Sequence, residues 1–213
     1  MTAGHPTDEM LRDYALGIGA EGAAMLVAAH ATYCPACRAK IARDEALSGA
    51  LLRHERVEPM SGAALASTLD RLDAPVDGAA ETRRSIEADG ILPRPIREVV
   101  GPFRELKWRF VMPGVSKVDV AVDGDESVSL LRVRPNCGVP QHTHTAQEAT
   151  LVVSGALRDR GRVFRRGDVS VATDDDDHTP RAEPGADCIC LAVLAGSLRF
   201  TGAFGRALNI FAQ

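Results

Sequence analysis

Two patterns of apolar and polar positions divide the chain. Over residues 8–53 Ala, Leu, Arg and Glu dominate, residues with strong helix propensity. Thr7 or Asp8 can cap a first helix with Glu9 in its opening turn, and Gly17 and Gly19 stop it. The pattern predicts a second helix over about 20–31 and a third from Cys34 to about His54. Pro35 falls at the first helical position of the third, where the missing N–H costs nothing. Ser61 opens a fourth, short helix over AALASTLDRL. Prolines, glycines and charges then break the pattern up to Pro95. Beyond them come Val-rich runs of strand length over 118–124, 127–135, 149–157, 167–173 and 188–196. Short strands at such intervals predict a sandwich or barrel. The expected organisation is a small all-α bundle over residues 1–75, a linker over 76–95 and an all-β domain over 96–213, with no internal repeat.

Each half carries a cluster of metal-binding side chains. In the first, His30 stands four residues before Cys34, and Cys37 follows three later at a helix start. Both sulfurs can reach one ion, and His30 can close on it from the end of the preceding helix. Thiolate with imidazole favours Zn²⁺ in a closed tetrahedral site, which needs a fourth ligand; His5, just outside the first helix, is the natural choice. A thioredoxin-like redox pair would need a βαβ context that is absent here. His54 sits among charges and reads as a solvated surface residue.

In the second half, His142 and His144 are two apart on an extended segment and so point to one face. Glu148 can join them from the next strand, and Gly155 marks the turn that follows. Gly167 comes later, and His178 stands eleven residues after it. The run Asp174–Asp177 before His178 reads as a solvated turn. Cys188 and Cys190 share one face of an apolar strand and read as buried thiols, with an oxidisable pair near the metal as the sharper alternative.

These spacings carry family resemblances. H-x-x-x-C-x-x-C with an upstream histidine on short helices resembles the zinc-containing anti-sigma factors. H-x-H-x(3)-E-x(6)-G, followed by a glycine eleven residues before a histidine, resembles the two cupin motifs. Carried over, the cupin ligands are His142, His144, Glu148 and His178. They would hold a divalent metal, Zn²⁺ first, with Fe²⁺, Mn²⁺ or Ni²⁺ as alternatives. The chain departs from the cupin pattern at Asn136, where a glycine is usual, and at Thr173, Asp175 and Ala182, all positions that touch turns rather than ligands. In this order and length the two halves resemble the ChrR family of anti-sigma factors. The resemblance implies a zinc-bearing helical bundle followed by a cupin barrel (a double-stranded β-helix). It also implies an extracytoplasmic-function sigma factor as partner and a cupin that senses oxidative stress from singlet oxygen or derived peroxides. The rival reading is a metal-dependent cupin enzyme such as a dioxygenase. Against it, no acid–base cluster stands beside the ligands, although Arg158, Asp159 or Glu183 could serve.

Whole-chain composition narrows the remaining classes. Aromatic residues make up only 4% of the 213, which argues against stacking on exposed bases. A formal net charge of −4 argues against phosphate-backbone binding and suits a partner with basic surfaces. No direct contact with nucleic acid is expected. No apolar run approaches the ~18–20 residues that span a bilayer, and MTAGHPTDEM lacks the basic start and apolar core of a signal peptide. The expected location is the cytoplasm, without membrane contact. Five cysteines, an odd number, fit ligation or redox chemistry in a reducing compartment better than a disulfide framework. A homodimer through the cupin is left open.

Overall fold

The computed structural model describes residues 4–72 and 90–202. Four helices open the chain: α1 (Asp8–Leu16), α2 (Glu21–Tyr33), α3 (Pro35–Leu52) and α4 (Ala64–Leu72). The Thr7 hydroxyl caps α1 by accepting from the Met10 N–H at 3.1 Å. Gly17 ends it at φ 68°, a left-handed conformation that suits glycine. The second helix runs two residues past the expected end, to Tyr33, and turns directly into α3 at Cys34, which caps α3 with Pro35 in its first turn.

Most of the expected linker lies outside the described residues. Its last part, 90–95, is packed: Leu92 is buried, and Arg94 opens a further described helix, α5 (Arg94–Val100), whose Ile96 is fully buried. Pro95, read from sequence as a breaker, occupies the first turn of that helix, where proline is tolerated.

Among the described residues eleven strands follow. β1 (Arg109–Met112), β2 (Val115–Val120), β3 (Ser127–Val133), β10 (Cys188–Leu194), β5 (Glu148–Ser154) and β8 (Val169–Ala172) form an antiparallel six-stranded sheet in that spatial order. β11 (Leu198–Phe200) pairs with β4 (His142–His144), and β6 (Ala156–Asp159) lies between β7 (Arg162–Arg165) and β9 (Arg181–Ala182). Residues from all three sheets line one cavity of about 720 Å³, the interior of the barrel. The strand expected over 118–124 lies earlier, at Val115–Val120, and β1, β7, β9 and β11 were not legible.

The central strands are buried on both faces, so they read as continuous apolar runs. Along β10, Cys188 and Cys190 face the barrel interior with Val133, Val152 and Leu157. Ile189, Leu191 and Val193 face the other way, into a core shared with Leu26, Val27 and Met25 of α2 and with Ile96 of α5. The helices and the large sheet therefore form one continuous core, with α2 as its centre. Gly22 allows this approach: a Cβ there would fall inside the side chain of Val128 on β3. Ala20 offers α2 no side-chain cap. The Glu126 carboxylate before β3 substitutes, accepting from the Ala23 N–H at 3.1 Å, a favourable charge for a helix start.

Candidate metal centres

The first cluster forms where three segments meet. His5 lies on the arm before α1, His30 on the last turn of α2, and Cys34 and Cys37 on the first turn of α3. One ligand atom from each lies within 4.8 Å of all the others. His5 Nδ1 is 3.4 Å from His30 Nε2, 3.5 Å from Cys34 Sγ and 3.4 Å from Cys37 Sγ, and His30 Nε2 is 3.3 Å from Cys37 Sγ. A tetrahedral zinc with Zn–N of about 2.0–2.1 Å and Zn–S of about 2.3 Å has ligand-to-ligand edges of about 3.3–3.8 Å. The observed edges match, so the four residues fit zinc, His5 included.

Protonation states follow from burial. Burial lowers the pKa of His30, keeping its ring neutral, the form that ligates. Burial, then the neighbouring Cys34 thiol, push Cys37 up to about 11. A bound dication would reverse that tendency by stabilising the thiolates. The remaining ring nitrogen of His30, Nδ1, donates to the carbonyl of Gly167 at 2.7 Å. That partner belongs to the turn between β7 and β8.

The second cluster lies inside the barrel. His142 and His144 sit at the two ends of β4 and Glu148 at the start of β5. His178 is held against His142 by reciprocal backbone hydrogen bonds of 3.0 Å. Their ligand atoms also lie within 4.8 Å of one another. His144 Nε2 is 2.9 Å from His178 Nε2 and 3.3 Å from Glu148 Oε2. Burial opposes ionisation of Glu148, yet the imidazoles, His144 foremost, outweigh it and hold its pKa below the ordinary value. Three imidazoles and a carboxylate fit Zn²⁺, Fe²⁺, Mn²⁺ or Ni²⁺ alike.

Outer contacts orient these rings. His142 Nδ1 donates to the Pro140 carbonyl at 2.7 Å, leaving Nε2 for the metal. His178 Nδ1 is 3.0 Å from Asp159 Oδ2, and the fully buried Asp159 also takes Arg160 Nε at 3.1 Å. Burial lowers the pKa of His178, but the Asp159 carboxylate outweighs it and the net shift is upward. Asp159 Oδ1 and His144 Nδ1 have no hydrogen-bond partner among the described residues. Asp159 thus orients His178, a role that ligand spacing does not reveal. Its one sequence signal was alternation with Leu157, which puts both on the inner face of β6. Arg158 and Glu183 pair with each other at 2.7 Å on the surface, away from the cluster.

The acidic run before His178 is partly structural rather than merely solvated. Asp176 accepts from the Thr173 N–H and pairs with Arg160 at 2.7 Å, while Asp177 accepts from Gln141 and Thr201. Asn136, standing where the cupin motif usually has glycine, adopts φ 61°, a conformation asparagine tolerates better than most residues. The Cys188 and Cys190 sulfurs are 3.4 Å apart and buried. The Cys188 contact, then burial, hold Cys190 protonated.

A helical His/Cys cluster packed against a β-barrel that carries a His/Glu cluster of its own, each able to hold a metal ion, is the class of protein that fold and site define. The family model described as the ChrR cupin-like domain matches residues 97–197. The anti-sigma-E factor ChrR of Cereibacter sphaeroides is 34% identical over 208 residues, 97% of this chain and 96% of that one. The crystal structure of Rhodobacter sphaeroides SigE in complex with the anti-sigma ChrR matches with a TM-score of 0.76 and 34% identity. That match covers 89% of this chain and 97% of the other. This chain belongs to the ChrR family of anti-sigma factors, and so stands among regulators rather than enzymes. Among the described residues no single helix is long and apolar enough to cross a membrane.

Proposed function

We propose that this chain is an anti-sigma factor that sequesters an extracytoplasmic-function sigma factor in the cytoplasm and releases it under oxidative stress. Its anti-sigma part is taken as residues 1–75, followed by a linker over 76–95 and the cupin over 96–213. Zn²⁺ held by His5, His30, Cys34 and Cys37 ties the N-terminal arm to α2 and α3. Short helices gain much of their folding free energy from such a metal. A divalent metal on His142, His144, Glu148 and His178, Zn²⁺ by first choice, sits in the cupin cavity, where singlet oxygen or a derived peroxide would meet it.

One observation carries the reading. From Leu51 to Leu72 every residue except Ala64 is exposed. Leu47, Leu51 and Leu52 on α3, Val57 and Met60 after it, and Leu65, Leu69 and Leu72 on α4 leave large apolar side chains in water. The three α4 leucines recur at i, i+4 and i+7, one face of a helix. Among the described residues nothing covers them, and apolar surface this extensive marks an interaction site. The ChrR relative seen in complex with SigE supports a sigma factor as the occupant.

Co-purification tests the proposal. The full-length, zinc-loaded chain should retain a sigma factor from its own cell. Leu65→Asp with Leu69→Asp should abolish retention while far-UV circular dichroism stays unchanged. Failure of the wild-type chain to bind any such sigma factor would falsify the function. For the sensing arm, photosensitised singlet oxygen and an organic hydroperoxide are applied to the complex. Release that persists undiminished in His142→Ala and Glu148→Ala would remove the cupin metal from the mechanism.

A further inference from the structure

The zinc cluster of the helical domain is not built from that domain alone. The turn between β7 and β8 reaches it twice. The Gly167 carbonyl accepts from His30 Nδ1 at 2.7 Å, with His30 almost wholly buried. Two residues on, the Val169 N–H donates to the Gly4 carbonyl at 3.0 Å, gripping the backbone immediately before His5. Two of the four zinc ligands, from different segments, therefore take their position from one cupin turn. Histidine ligands need such an outer partner, because a hydrogen bond on one ring nitrogen sets the tautomer and aims the other at the metal.

The turn itself is rigidly held. The Gly167 N–H donates to the Val152 carbonyl at 2.8 Å, and the Val152 N–H donates to the Asp168 carbonyl at 2.9 Å. Asp168 closes the loop by accepting from the Arg165 N–H at 2.8 Å. Val152 lies on β5, the strand that begins with the cupin ligand Glu148, and Glu148 pairs with Ala172 at the far end of β8. At about 3.4 Å per residue, β5 spans the distance from the cupin ligand to the turn in about 14 Å. Gly167 is required at this point: its φ is +93°, and a Cβ would lie 2.9 Å from Cβ of Tyr33, the last residue of α2.

We propose that residues 167–169 of the cupin are positioning residues of the helical domain's zinc centre, so that zinc affinity depends on the docked cupin. The inference rests on the zinc reading above. Through β5 and β8 the turn is continuous with the cupin metal site, and a displacement there would loosen His30 and His5 first.

Cobalt(II) is the probe, because of the two ligand sets only His5, His30, Cys34 and Cys37 contains thiols that give thiolate-to-cobalt charge-transfer absorption. The band is titrated in the full-length protein against a competing chelator. Gly167→Ala wedges the turn from α2. Val169→Pro removes the donor to Gly4 on an edge strand, where proline is best tolerated. Each should weaken cobalt binding by roughly 10–100-fold, the usual cost of losing an outer-shell partner. Gly161→Ala, at another positive φ with nothing within 4 Å, should leave it unchanged. If Gly167→Ala fails to fold, Val169→Pro decides. Affinity in the folded variants within about twofold of wild type, against the roughly tenfold minimum expected, overturns the proposal. Absence of the charge-transfer band in the wild-type chain would instead sink the zinc reading beneath it.

Discussion

Five of the six histidines occupy the two clusters, and His54 alone remains exposed. Their spacing was enough to find the candidate ligands that the fold brings together, because a shared metal would demand particular side chains at short, regular intervals. The residues that aim those ligands follow no such rule. Asp159 is buried, touches His178 and Arg160, and comes from a strand nineteen positions before its histidine. Replacing it by leucine would leave the His178 Nδ1–H buried without an acceptor. Metal affinity at the cupin site should then fall roughly 10–100-fold, read as metal per chain after dialysis against graded chelator. Asp159→Asn should retain most of it, since the amide oxygen can still accept from His178 while its NH₂ occupies the place of the unpartnered Oδ1. Equal retention by wild type and Asp159→Leu would show that the carboxylate does not position the ring.

At the scale of elements, legibility followed burial and partners. α1, α2 and α3 were readable from caps, stops and propensity, and the Val-rich β3, β5, β8 and β10 from runs of strand length. β11 and β9, three and two residues long, exist because a neighbour pairs with them, and no local pattern announces that. α5 was obscured by Pro93 and Pro95, which stand at its N-cap and in its first turn. The placement of α2 on the sheet was also beyond a linear reading, and Gly22 and Gly49 separate the two kinds of helical glycine. Gly22→Val intrudes on Val128 and Glu126, and overpacking should cost about 1–3 kcal/mol in urea unfolding. Gly49→Ala, on α3 with open space around it, should instead stabilise by up to about 1 kcal/mol through helix propensity. A neutral Gly22→Val would mean that α2 is not seated as closely as described.

For the whole molecule, the sequence suggested two domains and a linker, and the structure adds that they share one core. Leu26 and Val27 are fully buried in the cluster that contains Leu151 and Leu191 of the large sheet, each such burial contributing about 1.5–3 kcal/mol. Leu92 and Ile96 extend the same surface from the cupin side. The covalent connection between the halves is thus secondary to the fit of their faces. Cutting the chain between residues 89 and 90 would make a split protein whose fragments, 1–89 and 90–213, carry complementary halves of one interior. Refolded together with zinc, they should co-elute as a single heterodimer in size-exclusion chromatography. The 1–89 fragment alone should self-associate through the uncovered side of α2. Fragments that stay monomeric and ignore each other would mean that the common interior contributes little to holding them.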